Sequence, residues 1–283
     1  MQRDCLKGCA AAGLGAICLG AAGLLPVPGT AMADSLETFA AWQAPHKAIY
    51  ALAAERMGAT ADLAHVGGAI YYEVRETCDA WRIRQRFRLR IIRSGRESEE
   101  TETDSVLVEA RDGRRLSFSV VTSADGTVTE RLSGVATLSR IGGPGVVELK
   151  EPKPDRIPLP AGTVFPTRHF LTVVRAAELG RRSVWSTVFD GSEEGGRHSG
   201  ISVVILGRKP SPGKAEPLSI LRRPGWLMRV TYFSPEAEDG QPTYSFRAHM
   251  TDNGVARKML LDFGAFTLTG TLMAIEPLER PEC

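Results

Sequence analysis

The chain has 283 residues, of which 43% are hydrophobic and 24% are charged, and its formal net charge is +2. A chain of this length can bury a core of its own, which suits one large domain or two small ones. The near-neutral charge excludes a general electrostatic attraction to nucleic acids and other polyanions.

The first 33 residues have the three parts of a secretory signal peptide. Arg3 and Lys7 make a basic start, residues 8–25 form an uncharged apolar run, and Ala31-Met32-Ala33 is a small-x-small cleavage site. Glycines interrupt the apolar run and no stop-transfer flank follows it, so we expect no stable membrane span after cleavage. A lipoprotein signal is the alternative, although the sequence lacks a convincing lipobox at Cys9 or Cys18.

Cleavage after Ala33 would leave a single β-rich periplasmic domain over residues 34–283. Removal of residues 1–33 leaves 33 basic and 32 acidic side chains, so the mature domain stays near neutral. Three of the five cysteines leave with the signal: Cys5, Cys9 and Cys18.

Cys78 and Cys283 are the two cysteines that remain in the mature chain. In an oxidising compartment two cysteines most simply form one disulfide, whereas two free thiols or an intermolecular link are the alternatives. The sequence has no Cys-x-x-Cys motif of the kind that lowers a thiol pKa, so we expect a structural link and not a redox site.

Residues 81–91 read as a half-buried strand, because apolar and basic side chains alternate along it. The next segment is acidic, and a turn near Gly95 would place Arg90, Arg88 and Arg86 opposite acidic residues of a hairpin. The predicted pairs are Arg90 with Glu100, Arg88 with Glu102, and Arg86 with Asp104. Facing opposite charges stabilise a hairpin and fix its register, and a neutralised row has little charge left for phosphates. We therefore predict no nucleic-acid site here.

Strand-like segments recur along the chain at the spacing of antiparallel meanders. The predicted strands lie at about 46–54, 66–75, 81–93, 100–109, 114–123, 127–138, 145–150, 183–189, 198–206, 226–233, 243–251, 255–262 and 266–276. Residues 151–160 are rich in proline and cannot form a central strand.

One helix stands out at about 166–179, where Pro166 can start it and Gly180 can end it. Its apolar residues repeat along one face, which suits a helix that covers a sheet. The pattern predicts a mainly β fold: a single highly curved antiparallel sheet, a β-spiral or open barrel, with this helix as its main cover.

Several short motifs, taken in order along the chain, resemble those of the cell-envelope integrity protein EipB family of alphaproteobacteria. The motifs are Ala44-Pro-His46 with Tyr50, Cys78-Asp-Ala-Trp81, Leu159-Pro-Ala-Gly162 with Phe165-Pro-Thr-Arg-His169, Asp190-Gly-Ser192, Asn253-Gly254, Leu261-Asp-Phe-Gly264 and the terminal cysteine. Ala80 departs from the glycine we would expect before the tryptophan.

The resemblance implies a periplasmic, spiral-like β-sheet with a disulfide between Cys78 and Cys283. It also implies a non-enzymatic role in maintaining the cell envelope, and a similarity in shape to periplasmic lipoprotein carriers and sensor domains. We expect a monomer without a cofactor, whose partner is an envelope protein, a peptide or a lipid.

Two sets of residues are candidates for binding. Four aromatic residues could face a ligand on the curved sheet, although a place in the core is the alternative for each: Trp81, Phe165, Phe170 and Trp226. The trio Thr167-Arg168-His169 at the helix start could bind an anion through backbone N–H groups and positive charge.

Enzymatic signals are weak. The sequence has no His-Glu-x-x-His, Gly-x-Ser-x-Gly or Walker motif and no metal-type cysteine cluster, so we predict no catalytic residue and no metal ligand. Ser192, close to Asp190 and His198, is the one arrangement that suggests a nucleophile, and residues 190–196 suit a solvated turn better than a calcium loop. A periplasmic hydrolase with an unrecognised site and a lipid or lipoprotein carrier remain the alternative functions.

Overall fold

The computed structural model describes residues 43–58, 62–95, 97–236 and 240–283. The predicted signal peptide lies outside the described residues. The strands are β1 (His46–Met57), β2 (Leu63–Glu76), β3 (Ala80–Arg93), β4 (Ser98–Ala110), β5 (Arg115–Ala124), β6 (Thr127–Leu138), β7 (Gly145–Glu151), β8 (Asp155–Leu159), β9 (Thr163–Val164), β10 (Ser183–Val188), β11 (Ser199–Lys209), β12 (Gly225–Phe233), β13 (Tyr244–Thr251), β14 (Ala256–Asp262) and β15 (Phe266–Pro277). The helix α1 spans Pro166–Glu178.

The fifteen strands form one sheet in the order β8-β7-β6-β5-β4-β3-β2-β1-β15-β14-β13-β12-β11-β10-β9. Neighbouring strands are antiparallel, except that β9 and β10 are parallel and are joined by α1. Because β1 pairs with β15, the sheet grows outward from the two ends of the domain as two meanders. The predicted fold class, a mainly β curved sheet with one covering helix, is confirmed.

The two edge strands of the sheet, β8 and β9, lie in and just after the proline-rich segment. β8 lies within the proline-rich residues 151–160, and the two-residue strand β9 follows it directly. Proline lacks an N–H group, so it is tolerated at the edge of a sheet and not at its centre. The prediction that this segment is not a central strand is correct, but the omission of β8 was wrong.

The sheet curves strongly, and its register shows where. The pairing of β1 with β15 shifts between Ile49 and Tyr50 and again between Ala54 and Arg56, and such bulges bend a strand and increase its twist. At Gly68 in β2 a Cβ atom would overlap the backbone carbonyl oxygen of Arg88. Only glycine therefore allows β3 to approach so closely at this point.

Three apolar clusters fill the inner face of the curved sheet. The first lies between β2 and β8, the second joins β1–β3 to β13–β15, and the third lies between α1 and β10–β12. The first cluster also takes in Phe165 and Phe189, which flank α1 and β10 in the chain. The connection through α1 therefore brings residues of the second half of the chain into the core of the first half.

Helix α1 ends as the sequence predicts. Gly180 has a φ of 72°, and its N–H donates to the carbonyl oxygen of Ala177 at 3.0 Å. The N–H of Arg181 donates to Ala176 at 2.9 Å, which satisfies a second carbonyl group of the last turn. Glycine adopts this left-handed conformation without the steric cost that a Cβ brings.

Candidate functional site

The end of the chain is fastened to the turn between β2 and β3. Cys78 and Cys283 form a disulfide with a Cα–Cα distance of 5.6 Å across 205 residues of sequence. Next to it, the guanidinium group of Arg280 donates to the carboxylate of Glu76 and to the backbone oxygen of Gln43. Both ends of the domain are thus tied to the same turn.

Trp81 lies beside this fastening, inside the protein. Its side chain is only 2% exposed and belongs to the first apolar cluster. The guanidinium group of Arg111 lies 5.5 Å from the centre of its ring and also forms an ion pair with Glu76. Trp81 therefore contributes to packing and to a cation–π contact, and does not face a ligand surface.

The other aromatic candidates also occupy the interior. Phe165 packs edge-to-face against Phe189, and Trp226 packs against α1 in the third cluster. Phe170, on α1, is half-buried against the same cluster. These three residues do not have the ligand-facing position that the sequence suggests. The helix of the parallel β9–α1–β10 connection lies on the inner face of the sheet and fills it.

Two depressions on the surface, of about 590 and 420 Å³, are open to solvent. The first is lined by Arg208 and the chain near it, and the second by the outer side of β3–β6. Neither is lined by the four aromatic candidates. A lipid carrier of the usual kind encloses its ligand in an apolar cavity, and these two depressions do not have that form.

The start of helix α1 is capped by a carboxyl group from another part of the chain. The carboxylate of Glu109, on β4, accepts hydrogen bonds from the backbone N–H of Thr167 at 2.7 Å and of Arg168 at 3.4 Å. The N–H groups that the sequence interpretation assigned to an external anion are therefore used internally. Sequence reasoning missed Glu109, although an acidic residue at an inward position of a strand, two residues after Leu107, was the available signal.

Burial sets the charge of Glu109 and His169. Burial raises the pKa of Glu109 to about 7, against the lowering effect of the two N–H groups and of Arg168. Burial lowers the pKa of His169 to about 4, so its ring is neutral at pH 7. Its Nδ1 atom is buried and has no hydrogen-bond partner among the described residues. His169 therefore adds no positive charge for an anion.

The weak nucleophile arrangement does not assemble into a triad. The hydroxyl of Ser192 donates to the carboxylate of Asp190 at 2.6 Å, and the backbone N–H of Ser192 donates to the same oxygen. Within the described part of the chain, Ser192 has no hydrogen bond to His198. Asp190 has a pKa raised by burial. The side chain of Asp190 closes a short turn by binding the backbone of Ser192. Among the described residues no base is placed to activate the serine.

The described ranges contain neither a metal-binding cluster nor a membrane-spanning helix. No group of three or more His, Cys, Asp or Glu side chains in these ranges could hold a metal ion. In the same ranges no helix combines the length and apolar character needed to cross a bilayer.

The outer face of β3 and β4 carries the predicted ladder of opposite charges. The register pairs Arg86 with Asp104, Arg88 with Glu102, and Arg90 with Glu100, which confirms the prediction. The guanidinium group of Arg88 donates to Glu102 at 2.7 Å. Most of the positive charge in this row is therefore balanced by the adjacent strand.

The outer face of β10–β14 differs from this ladder, and sequence reasoning missed it. Arg229 on β12 and Arg247 on β13 face each other in register, and both are exposed. Lys258 follows on β14, opposite His249. Exposed apolar side chains border these cations on β10 and β11: Trp185, Val204 and Leu206. The signal in the sequence was the arginine at an outward position in each of two paired strands.

Comparisons with known proteins agree with the fold. A model of the EipB-like family matches residues 39–279. The Cell envelope integrity protein EipB of Brucella abortus (strain 2308) is 28% identical over 236 residues, which cover 82% of this chain and 83% of that protein. The crystal structure of a beta-barrel-like protein of a domain of unknown function from Brucella abortus aligns with a TM-score of 0.75 at 27% identity, covering 84% of this chain and 99% of that chain. Since the family match spans most of the chain, the chain belongs to the EipB-like family.

Proposed function

We propose that this protein is exported to the periplasm, where it supports the integrity of the cell envelope as a non-catalytic binding protein. The relative from Brucella abortus bears the name of that role. The disulfide between Cys78 and Cys283 is the observation that carries the proposal, because such bonds persist in oxidising compartments and are rare in the cytosol. The signal-like residues 1–33 give the route of export.

The absence of a catalytic arrangement in the described residues supports binding over hydrolysis. Ser192 is held by Asp190 and lacks a base, and Glu109 is enclosed between β4 and α1. The inner face is packed with the protein's own side chains, so the partner meets an outer surface of the sheet. The partner is a peptide, a lipid or an envelope protein.

A deletion strain tests the role and the compartment together. We expect loss of the gene to sensitise cells to detergent and to cell-wall antibiotics, and we expect the full chain to restore resistance. A version that starts after Ala33 with a new initiator methionine should remain in the cytosol and fail to restore it. Rescue by the cytosolic version, or normal resistance of the deletion strain, would contradict the proposal.

Two variants in the same strain test the roles of Ser192 and of the disulfide, and the first separates binding from hydrolysis at Ser192. Ser192→Ala should restore resistance as well as the wild type does, since Ser192 has no catalytic role in the proposal. Cys78→Ser should restore it poorly, because the protein is less stable without its disulfide. Failure of Ser192→Ala at normal protein abundance would instead support the hydrolase.

A further inference from the structure

The outer face of β10–β14 combines unbalanced cations with exposed apolar side chains. We call this surface the outer basic face and define it by six residues: Trp185, Val204, Leu206, Arg229, Arg247 and Lys258. The cross-strand register places Trp185, Val204, Arg229, Arg247 and Lys258 on one side of the sheet, opposite the side covered by α1. The exposed Leu206 lies at the irregularity of β11 between Ile205 and Gly207.

Arg229 and Arg247 form a like-charge pair across β12 and β13. Neither has an ion pair with any residue in the described ranges, and Lys258 has none there either. Like charges at facing positions destabilise a sheet. The ladder of β3 and β4 shows that facing strands of this fold can instead pair opposite charges. The exposed pair of Arg229 and Arg247 destabilises the free protein. Such a pair is expected where another molecule supplies the negative charge.

His249 lies on the same face, close to positively charged side chains. It is paired in register with Leu227 and with Lys258. Burial lowers its pKa, and the nearby charges of Arg257 and Lys209 lower it further. The Nε2 atom of His249 is buried without a hydrogen-bond partner among the described residues.

The apolar part of this face is large and held in place. Trp185 is 62% exposed, Leu206 is 49% exposed and Val204 is 39% exposed. The ring of Trp185 lies 5.5 Å from that of Phe233, and it covers Gly200, where a Cβ atom would meet the indole ring at 2.7 Å. Glycine at position 200 therefore makes room for the indole ring of Trp185, which remains open to solvent.

We propose that the outer basic face docks on the surface of an anionic lipid bilayer. Arg229, Arg247 and Lys258 would contact the phosphate groups, while the indole of Trp185 enters the interface between headgroups and acyl chains. Tryptophan favours this layer, and basic side chains near an anionic membrane strengthen attachment. The inference depends on the proposed function in one respect only, which is export of the protein to the periplasm.

The occupant is a membrane and not a soluble polyanion, because the apolar residues would otherwise stay in water. A polyanion would engage the cations alone, whereas a bilayer engages the cations with its phosphate groups and Trp185 with its interfacial layer. On the same side of β14 as Lys258, the carboxylate of Asp262 lies 4.0 Å from the guanidinium group of Arg56. The face therefore has the composition of a peripheral membrane contact.

Co-sedimentation of the folded mature protein with lipid vesicles tests the proposal. We expect binding to vesicles of phosphatidylcholine mixed equally with phosphatidylglycerol, little binding to phosphatidylcholine alone, and weaker binding as salt rises. The double variant Arg229→Gln/Arg247→Gln should bind roughly twenty-five-fold more weakly, since each basic side chain contributes about fivefold. The matched control Arg115→Gln/Arg131→Gln removes two exposed arginines from β5 and β6 and should bind like the wild type.

Fluorescence identifies the contact of Trp185. Its emission should shift to shorter wavelength when anionic vesicles are added, and Trp185→Phe should abolish that shift while it retains most of the binding. Trp185→Ala should weaken binding without a change in salt dependence. Equal losses in both double variants, or no preference for anionic vesicles, would overturn the proposal.

Poly-glutamate serves as the competing occupant. If it binds the protein as tightly as the vesicles do, and through the same two arginines, the partner is an acidic chain and the membrane assignment is wrong. If no ligand binds this face while the exported protein still restores resistance in the deletion strain, the docking surface is wrong and the envelope role stands.

Discussion

The carboxylate of Glu109 and the backbone N–H of Thr167 form a 2.7 Å hydrogen bond between residues that are 58 positions apart. The bond attaches the first turn of α1 to β4, where Glu109 pairs in register with Trp81 of the first apolar cluster. No side chain of the helix itself caps this turn. A distant strand thus supplies the acceptor that the unsatisfied N–H groups of a helix start require.

Glu109→Gln should remove a pH dependence of stability. Burial raises the pKa of Glu109 from 4.5 to about 7, so its stabilising contribution is complete below pH 4.5 and is lost as the pH rises through 7. The glutamine oxygen can still accept the two N–H groups but never ionises. We expect the variant to match the wild type at pH 4.5 and to exceed it at pH 8, by at most on the order of 3 kcal/mol.

Urea unfolding at a series of pH values measures this difference. Glu130→Gln, at an exposed position of β6, is the control and should leave the pH profile of the wild type unchanged. The assignment fails if the profiles of Glu109→Gln and wild type stay parallel between pH 4.5 and pH 8.

Cys78→Ser and Cys283→Ser should destabilise the protein equally, and the double variant should be no worse than either single one. The disulfide closes a loop of 205 residues, for which the chain-entropy model gives roughly 5 kcal/mol. Thermal unfolding of the three variants checks the prediction. Additive losses in the double variant would mean that each cysteine contributes independently of the bond.

Gly68→Ala should cost about 1–3 kcal/mol, the usual range for a group forced into a packed site. The added methyl group would overlap the carbonyl oxygen of Arg88, and a strand backbone cannot move as a flexible side chain can. Gly207→Ala is a matched control, because a Cβ atom at that strand position meets nothing within 4 Å. Chemical unfolding compares the two, and equal effects would show that β2 and β3 can separate at little cost.

Arg247→Glu should stabilise the protein by about 1 kcal/mol. It replaces a like-charge pair with Arg229 by an opposite-charge pair at facing positions, and the gain should shrink in high salt. Arg131→Glu, on β6, is the control and should stay within about 0.5 kcal/mol of the wild type. A loss of stability in Arg247→Glu would show that Arg229 and Arg247 do not repel one another. The same variant should bind anionic vesicles poorly, which would separate function from stability.

Much of the fold follows from local pattern. The alternation in residues 81–91 predicts both the strand β3 and its pairing with β4, because side chains of facing residues must share one side of the sheet. Pro166 and Gly180 predict the limits of α1 to within one residue. Edge strand β8 escaped prediction because Pro158 and the prolines that flank the strand resemble those of a loop, and only the position of the strand beside β7 distinguishes the two.

The sites were harder to predict, since each depends on contacts between distant residues. The sequence indicates that Thr167, Arg168 and His169 begin a helix, but not that Glu109 lies beneath them. Nor could it separate core from ligand-facing aromatic residues, because a hydrophobic side chain serves both. The net charge is a property of the whole chain and says nothing of where charges lie. The outer basic face exists because the strand order places the acidic side chains of β4 far along the sheet from the cations of β12–β14.

By itself, the sequence determined most of the strands, the helix and the facing charges of β3 and β4, since all of these depend on near neighbours. The tertiary structure alone decided where those elements meet. Packing placed the helix on the inner face, enclosed Glu109 and left Arg229 beside Arg247, because burial and electrostatic fields depend on distances through space and not on positions along the chain.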